Sequence, residues 1–262
     1  MSRIAETFAR LDGADRRGFI PFITAGDPDL NTTRALVVEL AHAGASLIEL
    51  GVPFSDPMAD GPVIQRASER ALRHGVSVAD VLACGREVRR ETDVPIVLFS
   101  YYNPLLQYGH ERLCVDARRA GVDGMLVTDL APEEADEFAA VLRQHELDLI
   151  FLVAPTSTDA RLRMVAERAS GFIYAVSRAG ITGAQSEVST AAELLVRRVK
   201  AITSLPIAVG FGISTRAQVA DVWRYADAAV VGSAIVAEIE RAEGTPDLVA
   251  HIGTFARSFL PE

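Results

Sequence analysis

Eight short apolar segments alternate with helix-patterned segments along almost the whole chain, and this alternation most constrains the fold. The apolar segments span residues 19–24, 46–50, 95–99, 122–128, 148–153, 172–176, 206–209 and 228–231. The helix-patterned segments span residues 32–42, 62–74, 78–91, 111–120, 132–144, 159–168, 191–202 and 215–225. Strands that alternate with helices form parallel sheets. About eight such units in 262 residues predict a (β/α)8 barrel, also called a TIM barrel.

An open, doubly wound α/β sheet is the rival architecture. Its dinucleotide-binding form carries G-x-G-x-x-G after the first strand, and no such motif follows residues 19–24. We find no linker and no change of composition along the chain, so we expect a single domain over residues 1–262. The amphipathic N-terminal segment predicts an extra helix before the first strand, and the chain after residue 233 is again mostly helical.

Composition and charge limit the possible partners. Hydrophobic residues make up 49% of the chain and charged residues 23%, so a large core can form. The net charge is −9 and the sequence has no stripe of basic residues, which argues against nucleic acid as a binding partner. No apolar run approaches the roughly 18 residues of a membrane span, and the N-terminus lacks the pattern of a signal peptide. We expect a cytoplasmic protein in which Cys84 and Cys114 are reduced thiols.

Two carboxylates mark the first candidate site. Glu49 interrupts the apolar run of the second strand just before its end, and Asp56 and Asp60 follow in a loop rich in glycine and proline. Apolar surroundings raise the pKa of a glutamate, which lets it accept and donate a proton near neutral pH. In a barrel of this kind the catalytic groups lie on the loops that follow the strands, where both acids are expected.

Glycines after the last two strands indicate a phosphate site. Gly210 and Gly212 follow the seventh strand, and Gly232 and Ser233 follow the eighth at the start of a helix. Glycine lets the backbone approach a phosphate, and a helix N-terminus presents free N–H donors. The alternative is that these glycines only make tight turns. A further flexible loop at residues 180–183 is suitable as a lid.

The residues that the chain lacks narrow the chemistry further. Its one lysine, Lys200, lies on a predicted helix, so we expect no Schiff base inside the site. All five histidines fall in predicted helices or helix starts, which argues against a histidine-ligated catalytic metal; they are His42, His74, His110, His145 and His251. By elimination we expect carboxylates to carry out the chemistry, assisted by a tyrosine.

Several segments resemble the tryptophan synthase alpha-subunit family in order and spacing. They are PFITAGDP (21–28), ELGVPFSDPMADGPVIQ (49–65), YYNP (101–104), SRAGITGA (177–184), GFGIS (210–214) and VVGSAIV (230–236). The resemblance covers essentially the whole chain, and the block that joins the two acids is highly specific. It implies the cleavage of indole-3-glycerol phosphate to indole and glyceraldehyde 3-phosphate, a retro-aldol reaction that needs no cofactor and no metal.

The resemblance also implies roles for individual residues. Glu49 would be the proton shuttle, Asp60 would accept the indole N–H, and Tyr174 would position Glu49. Thr182 would meet Asp60 when the lid closes. The implied substrate-binding residues, which form the apolar wall and the phosphate site, are Phe22, Phe99, Tyr101, Leu126, Thr182, Gly183, Phe211, Gly212, Gly232 and Ser233.

The family works as an αββα complex with a pyridoxal-phosphate beta subunit, which receives indole through a tunnel. The resemblance implies that the loop after the second strand and the segment around YYNP meet this partner. The contact candidates are Pro53, Asp56, Asn103, Pro104 and Leu105. For Pro53 and Asn103 a purely structural role in turns or helix caps is a strong alternative.

Three other functions remain open at the level of sequence. The first is a stand-alone indole-3-glycerol phosphate lyase without a beta partner. The second is a barrel that has lost catalysis and serves as a binding subunit, against which intact Glu49 and Asp60 argue. The third is another barrel enzyme that acts on a sugar phosphate, such as an isomerase of histidine or tryptophan biosynthesis, which would pair an acid and a base on strands one and five. Those strand ends offer Thr24 and Ala154, with only Asp27 nearby.

Overall fold

The eight predicted strands close into one parallel barrel. A computed structural model of the chain describes residues 2–177 and 185–260, and for residues 185–189 it describes the backbone alone. The strands are β1 Gly18–Thr24, β2 Ile48–Gly51, β3 Ile96–Ser100, β4 Gly124–Val127, β5 Asp148–Val153, β6 Ile173–Val176, β7 Ile207–Gly210 and β8 Ala228–Val231. Each strand pairs in parallel with its neighbours in chain order, and β8 pairs with β1. The predicted (β/α)8 fold is confirmed.

Helices surround the barrel in the part of the chain that the structure describes. They are α1 Arg3–Gly13, α2 Leu30–His42, α3 Pro62–Arg73, α4 Val78–Val88, α5 Tyr102–Tyr108, α6 His110–Arg119, α7 Asp136–Gln144, α8 Asp159–Arg168, α9 Gln185–Lys200, α10 Arg216–Val222, α11 Ser233–Ala242 and α12 Leu248–Arg257. A short 3-10 helix, Pro132–Glu134, precedes α7. No described helix is both long enough and apolar enough to span a membrane.

The structure differs from the sequence prediction mainly at element boundaries. Strand β2 begins at Ile48 rather than at residue 46, and β4 is shorter than the predicted 122–128. The segment around YYNP, predicted as a loop, forms the short helix α5. Pro104 favours a loop in a sequence reading, but it is the third residue of this helix. A proline in the first turn removes only an N–H that would lack an intrahelical partner.

Helix α1, predicted as an extra N-terminal helix, plugs the N-terminal end of the barrel. The Ser2 hydroxyl caps it by accepting the Ala5 N–H. The side chains of Ile4 and Phe8 are buried in the same cluster as the residues inside the barrel, and the Phe8 and Phe172 rings lie 5.8 Å apart. The barrel interior is thereby closed at this end, which leaves the opposite end for a site.

The register of the strands sets which side chains share the barrel interior. Successive side chains of a strand point to opposite faces. On β1, Ile20 belongs to the inner cluster, whereas Phe19 and Ile23 pack in the larger cluster that includes the surrounding helices. Phe22 pairs with Glu49 across the β1–β2 ladder. The Glu49 side chain therefore lies beside Phe22 at the C-terminal end of the interior.

Arg89 ties together the N-terminal ends of β3 and β4. Its guanidinium donates hydrogen bonds to the carbonyls of Thr92, Val94 and Gly121 and to the carboxylate of Asp123. The Asp123 side chain is almost fully buried. Removing one partner of a buried ion pair leaves an uncompensated charge, which is strongly destabilising. The tie lies at the end of the barrel opposite to the candidate site.

We expect Arg89→Ala to lower the free energy of unfolding by about 3 kcal/mol. This is the lower end of the range for buried pairs, because Arg3 still binds the Asp123 carboxylate. Urea unfolding followed by circular dichroism measures the change. The matched control is Arg90→Ala, since Arg90 is exposed and its ion pair is with exposed Glu87; it should cost less than about 1 kcal/mol. Equal losses in the two variants would contradict this account.

Candidate active site

A cavity of about 270 Å³ opens at the C-terminal end of the barrel. It brings together the ends of β1, β2, β3, β6, β7 and β8 with the first turn of α3. Its lining residues are Phe22, Glu49, Asp60, Gly61, Pro62, Val63, Ile64, Phe99, Tyr174, Phe211, Gly212, Val230, Gly232 and Ser233. Most of the predicted catalytic and binding residues therefore meet in one place.

Glu49 is the most deeply buried ionisable group of the cavity. Glu49 is 1% exposed to solvent, and its Oε1 atom has no hydrogen-bond partner among the described residues. Burial raises the pKa of Glu49 to about 8, because low-dielectric surroundings disfavour the carboxylate. At neutral pH this carboxyl is mostly protonated and can give up a proton to a ligand that enters the cavity.

Tyr174 lies close enough to Glu49 for the two groups to interact electrostatically. Burial, and then the charge on Glu49, raise the pKa of Tyr174 well above its usual value, so its hydroxyl stays protonated. The ring packs against the backbone of Gly210, where a Cβ atom would lie 1.9 Å from the tyrosine hydroxyl oxygen. Only glycine at the end of β7 leaves room for this ring. Gly210, which we predicted to approach a phosphate, is not among the lining residues of the cavity in the described chain, and its lack of a side chain instead makes room for Tyr174.

Asp60 lies in the loop after β2, two residues before α3, and is less deeply buried than Glu49. The Tyr101 hydroxyl accepts the Ala59 N–H at 2.8 Å and also forms a hydrogen bond with the Asp60 carboxylate. Burial raises the pKa of Asp60 to about 6, and the Tyr101 hydrogen bond opposes that rise. At neutral pH Asp60 is therefore an anion facing the same cavity as a protonated Glu49.

Aromatic and aliphatic side chains form the apolar wall. Phe22 and Phe99 meet edge to face with their ring centroids 5.1 Å apart, and Val230 completes the wall. Leu126, predicted in this wall, is not among the lining residues in the described chain. It is fully buried one layer deeper, in the inner cluster that includes Tyr174.

Backbone groups dominate the part of the cavity that is formed by the segments after β7 and β8. Phe211 and Gly212 adopt positive φ angles of 79° and 77°, and the Phe211 ring is partly exposed. The Ser177 hydroxyl donates to the Phe211 carbonyl and holds this turn. Helix α11 begins at Ser233 and directs its N-terminus at the cavity. A helix N-terminus with adjacent glycine is suited to an anion.

The predicted lid residues cannot be compared with the structure. Thr182 and Gly183 lie outside the described residues, as does Gly180. Their proposed roles stay predictions. Within residues 2–177 and 185–260, no three His, Cys, Asp or Glu side chains form a group that could hold a metal ion.

The predicted partner contacts divide into exposed and buried residues. Asp56 and Asn103 are exposed and Pro104 is partly so, whereas Pro53 is buried. Leu105 is fully buried against the core and cannot present its side chain to a partner. The next residue, Leu106, is 48% exposed, and Met58 in the loop after β2 is 92% exposed. An apolar residue in a polar turn, as Met58 is in SDPMADG, was the signal available in the sequence.

The first turn of α3 supplies lining residues that the sequence analysis missed. Gly61, Pro62, Val63 and Ile64 line the cavity between Asp60 and the strand ends. The signal was the proline at the first helical position directly after the candidate acid, because proline is favoured there. A helix that starts at residue 62 must present its first turn next to Asp60.

Comparison with known proteins gives consistent matches. A family model described as tryptophan synthase alpha chain matches residues 8–259. The chain is 54% identical over 241 residues to the tryptophan synthase alpha chain of Geobacter sulfurreducens, which covers 92% of this chain and 91% of that protein. The homologue from Geotalea uraniireducens is 51% identical over 255 residues, 97% of this chain and 95% of that protein.

A solved structure gives the same result. The crystal structure of tryptophan synthase subunit alpha from Legionella pneumophila matches with a TM-score of 0.92 at 39% identity. The match covers 99% of this chain and 97% of that one. Sequence and structure comparisons thus extend over nearly the whole barrel.

We expect the Glu49 carboxyl to be protonated at pH 7 and to ionise near pH 8, because burial raises its pKa to about 8. Carbon-13 NMR of the glutamate side-chain carboxyls, recorded as a function of pH, measures this directly. The Glu49→Gln variant assigns the resonance by its loss. A Glu49 resonance that titrates near 4.5, the value of an unburied glutamate, would refute the desolvated site.

Proposed function

The chain belongs to the tryptophan synthase alpha-chain family, and we propose that its cavity cleaves indole-3-glycerol phosphate to indole and glyceraldehyde 3-phosphate as a carbon–carbon lyase. The observation that carries this proposal is the pair of carboxyls in one apolar cavity, Glu49 with a pKa of about 8 and Asp60 with a pKa of about 6. The reaction needs one carboxyl protonated and the other ionised at neutral pH.

Glu49 acts as the proton shuttle in this proposal. Its protonated carboxyl gives a proton to C3 of the indole, and the ring nitrogen takes up the positive charge as an iminium. The resulting carboxylate then removes the proton from the hydroxyl on the adjacent glycerol carbon. The bond between C3 and that carbon breaks, the carbon becomes the aldehyde, and the electron pair restores the aromatic indole. The carboxyl ends the cycle protonated, as it began.

Asp60 supports the same step from the nitrogen side. As an anion it accepts the indole N–H and stabilises the positive charge that develops on the ring. The Tyr101 hydrogen bond and the partial exposure of the loop favour this ionised form. Tyr174 bounds the Glu49 side of the cavity and positions that carboxyl.

The remaining lining residues bind the two ends of the substrate. Phe22, Phe99 and Val230 offer an apolar surface to the planar ring. Gly212, Gly232 and Ser233 offer backbone N–H groups and a hydroxyl to the phosphate. The chain has a net charge of −9, so its overall electrostatic field does not attract an anionic substrate. The local hydrogen-bond donors must hold the phosphate instead.

The family works with a beta subunit, and we propose an αββα heterotetramer in the cytoplasm. In this proposal the loop of residues 54–58 and the exposed residues of α5 within 103–106 form the surface for that partner. It offers a carboxylate at Asp56 and apolar side chains at Met58 and Leu106. Pro53 and Leu105 shape this surface from beneath instead of touching the partner.

The deciding experiment measures indole release from indole-3-glycerol phosphate by the purified chain, alone and with a tryptophan synthase beta subunit. We expect slow release alone and a strong rise with the partner. A rate of release that does not change when the partner is added would favour a stand-alone lyase.

Glu49→Gln should bind substrate but lose about 10²–10⁴-fold in kcat, the usual cost of lost acid–base catalysis. A variant that keeps more than about a tenth of the wild-type kcat would remove Glu49 as the shuttle.

Gly212→Asp tests the phosphate end. The new carboxylate should raise KM for indole-3-glycerol phosphate at least about tenfold, which corresponds to about 1.4 kcal/mol of repulsion. Gly212 has a φ of 77°, so any side chain strains the turn. Gly212→Ala carries the same strain without the charge and is the matched control. Equal KM values for the two variants would contradict a phosphate at this turn.

A further inference from the structure

Four charged side chains form an ion-pair bridge on the outside of the cavity. Arg70 donates to both carboxylate oxygens of Asp27, at 2.7 and 2.9 Å, and to Glu240 at 2.7 Å. Arg66 donates twice more to Glu240, at 2.8 and 2.7 Å. The bridge joins the loop after β1, helix α3 and helix α11. Residues that bond directly to each other in the bridge are separated by up to 174 positions in sequence.

The bridge connects the two helices whose N-terminal ends border the cavity. Asp60 lies just before α3, and Ser233 is the first residue of α11. On their inner faces the helices are joined by a small cluster of Phe22, Ala67 and Val236. The bridge joins the same helices further along, one to two turns beyond those ends. Apolar contact and ion pairs together fix the separation of the two helices.

We propose that Glu240 is a positioning residue, which sets the distance between the Asp60 end and the Ser233 end of the cavity. This inference rests on the proposed function, because those ends hold the indole nitrogen and the phosphate of one substrate. Glu240 does not line the cavity and acts only through α3 and α11. A substrate that spans both ends of the cavity gains binding free energy from both sets of contacts only when the distance between the ends matches the length of the substrate.

Glu240 tests this role more cleanly than Arg70. The Asp27 side chain is 2% exposed, so removing Arg70 would leave a buried carboxylate without its counter-ion and would test folding. The Glu240 side chain is 29% exposed and accepts three guanidinium hydrogen bonds. Its replacement by alanine opens the link between the helices and leaves the pair of Arg70 and Asp27 intact.

Glu238 supplies the matched control on the same helix. It forms ion pairs with Arg241, also on α11, and with His251 on α12. Hydrogen bonds from arginine lower the pKa of both Glu238 and Glu240 to about 2. The two glutamates are thus alike in charge and pairing, but only Glu240 reaches α3. Glu238→Ala should weaken the outer contacts of α11 without changing the spacing of the cavity.

The experiment compares three probes by calorimetry: indole, glycerol 3-phosphate, and indole that carries a propyl phosphate chain on C3. For Glu240→Ala we expect the linked probe to bind about tenfold more weakly, while each half keeps its affinity within about twofold. The value of kcat/KM for indole-3-glycerol phosphate should fall by a similar factor. Glu238→Ala should match the wild type with every probe. Glu240→Asp, which keeps the charge but is one methylene shorter, should lie between.

Two results would overturn the positioning role. One is a Glu240→Ala variant that matches Glu238→Ala with the linked probe. The other is an equal loss for the halves and the linked probe, which would indicate general damage to the cavity. A wild-type chain that fails to cleave indole-3-glycerol phosphate even with a beta subunit present is a different result. It would remove the proposed function itself.

Discussion

The burial of one carboxyl group, that of Glu49, is the constraint on which the rest of this structure depends. Placing a carboxylate in apolar surroundings without a counter-ion costs free energy. Burial therefore favours the protonated form and raises the pKa of Glu49 to about 8. The surroundings must exclude water to achieve this. Helix α1 closes one end of the barrel, and the rings of Phe22 and Tyr174 crowd the other. The glycines at the ends of β2 and β7 let those two rings lie against the backbone.

The contrast between Glu49 and Asp60 explains how two carboxyls in one cavity can take opposite roles. Strand β2 fixes Glu49 inside the barrel, where the described protein offers no hydrogen-bond partner to Oε1. Asp60 lies on the following loop, where Tyr101 forms a hydrogen bond with its carboxylate. When their environments push the pKa values of two carboxyl groups apart, one group stays protonated at neutral pH and the other is an anion. One segment of twelve residues, 49–60, therefore contains both carboxyl groups.

Local patterns in the sequence predicted the fold, and most of the candidate site residues that they marked line one cavity. Eight alternating segments in 262 residues predicted the barrel, and Glu49, which interrupts an apolar strand near its end, lines the cavity. Depth along the barrel axis was harder to predict. Leu126 and Phe99 are register partners on neighbouring strands, yet Phe99 reaches the cavity and Leu126 remains in the layer beneath. Helix α5 likewise directs Leu105 into the core and Leu106 to the surface. The sequence pattern predicts a loop at this segment, and a loop prediction does not say which of the two side chains is buried.

The ion-pair bridge shows why such long-range contacts escape a reading of the sequence. Asp27 follows β1, Arg66 and Arg70 follow β2, and Glu240 follows β8, so the bridge crosses the seam where the last strand pairs with the first. No local pattern marks these residues, since arginine and glutamate on a helix usually form solvated pairs of little energy. Only closure of the barrel brings them together. The same closure packs α11 against α3, so contacts between distant parts of the chain hold together the two helices whose N-terminal ends border the cavity.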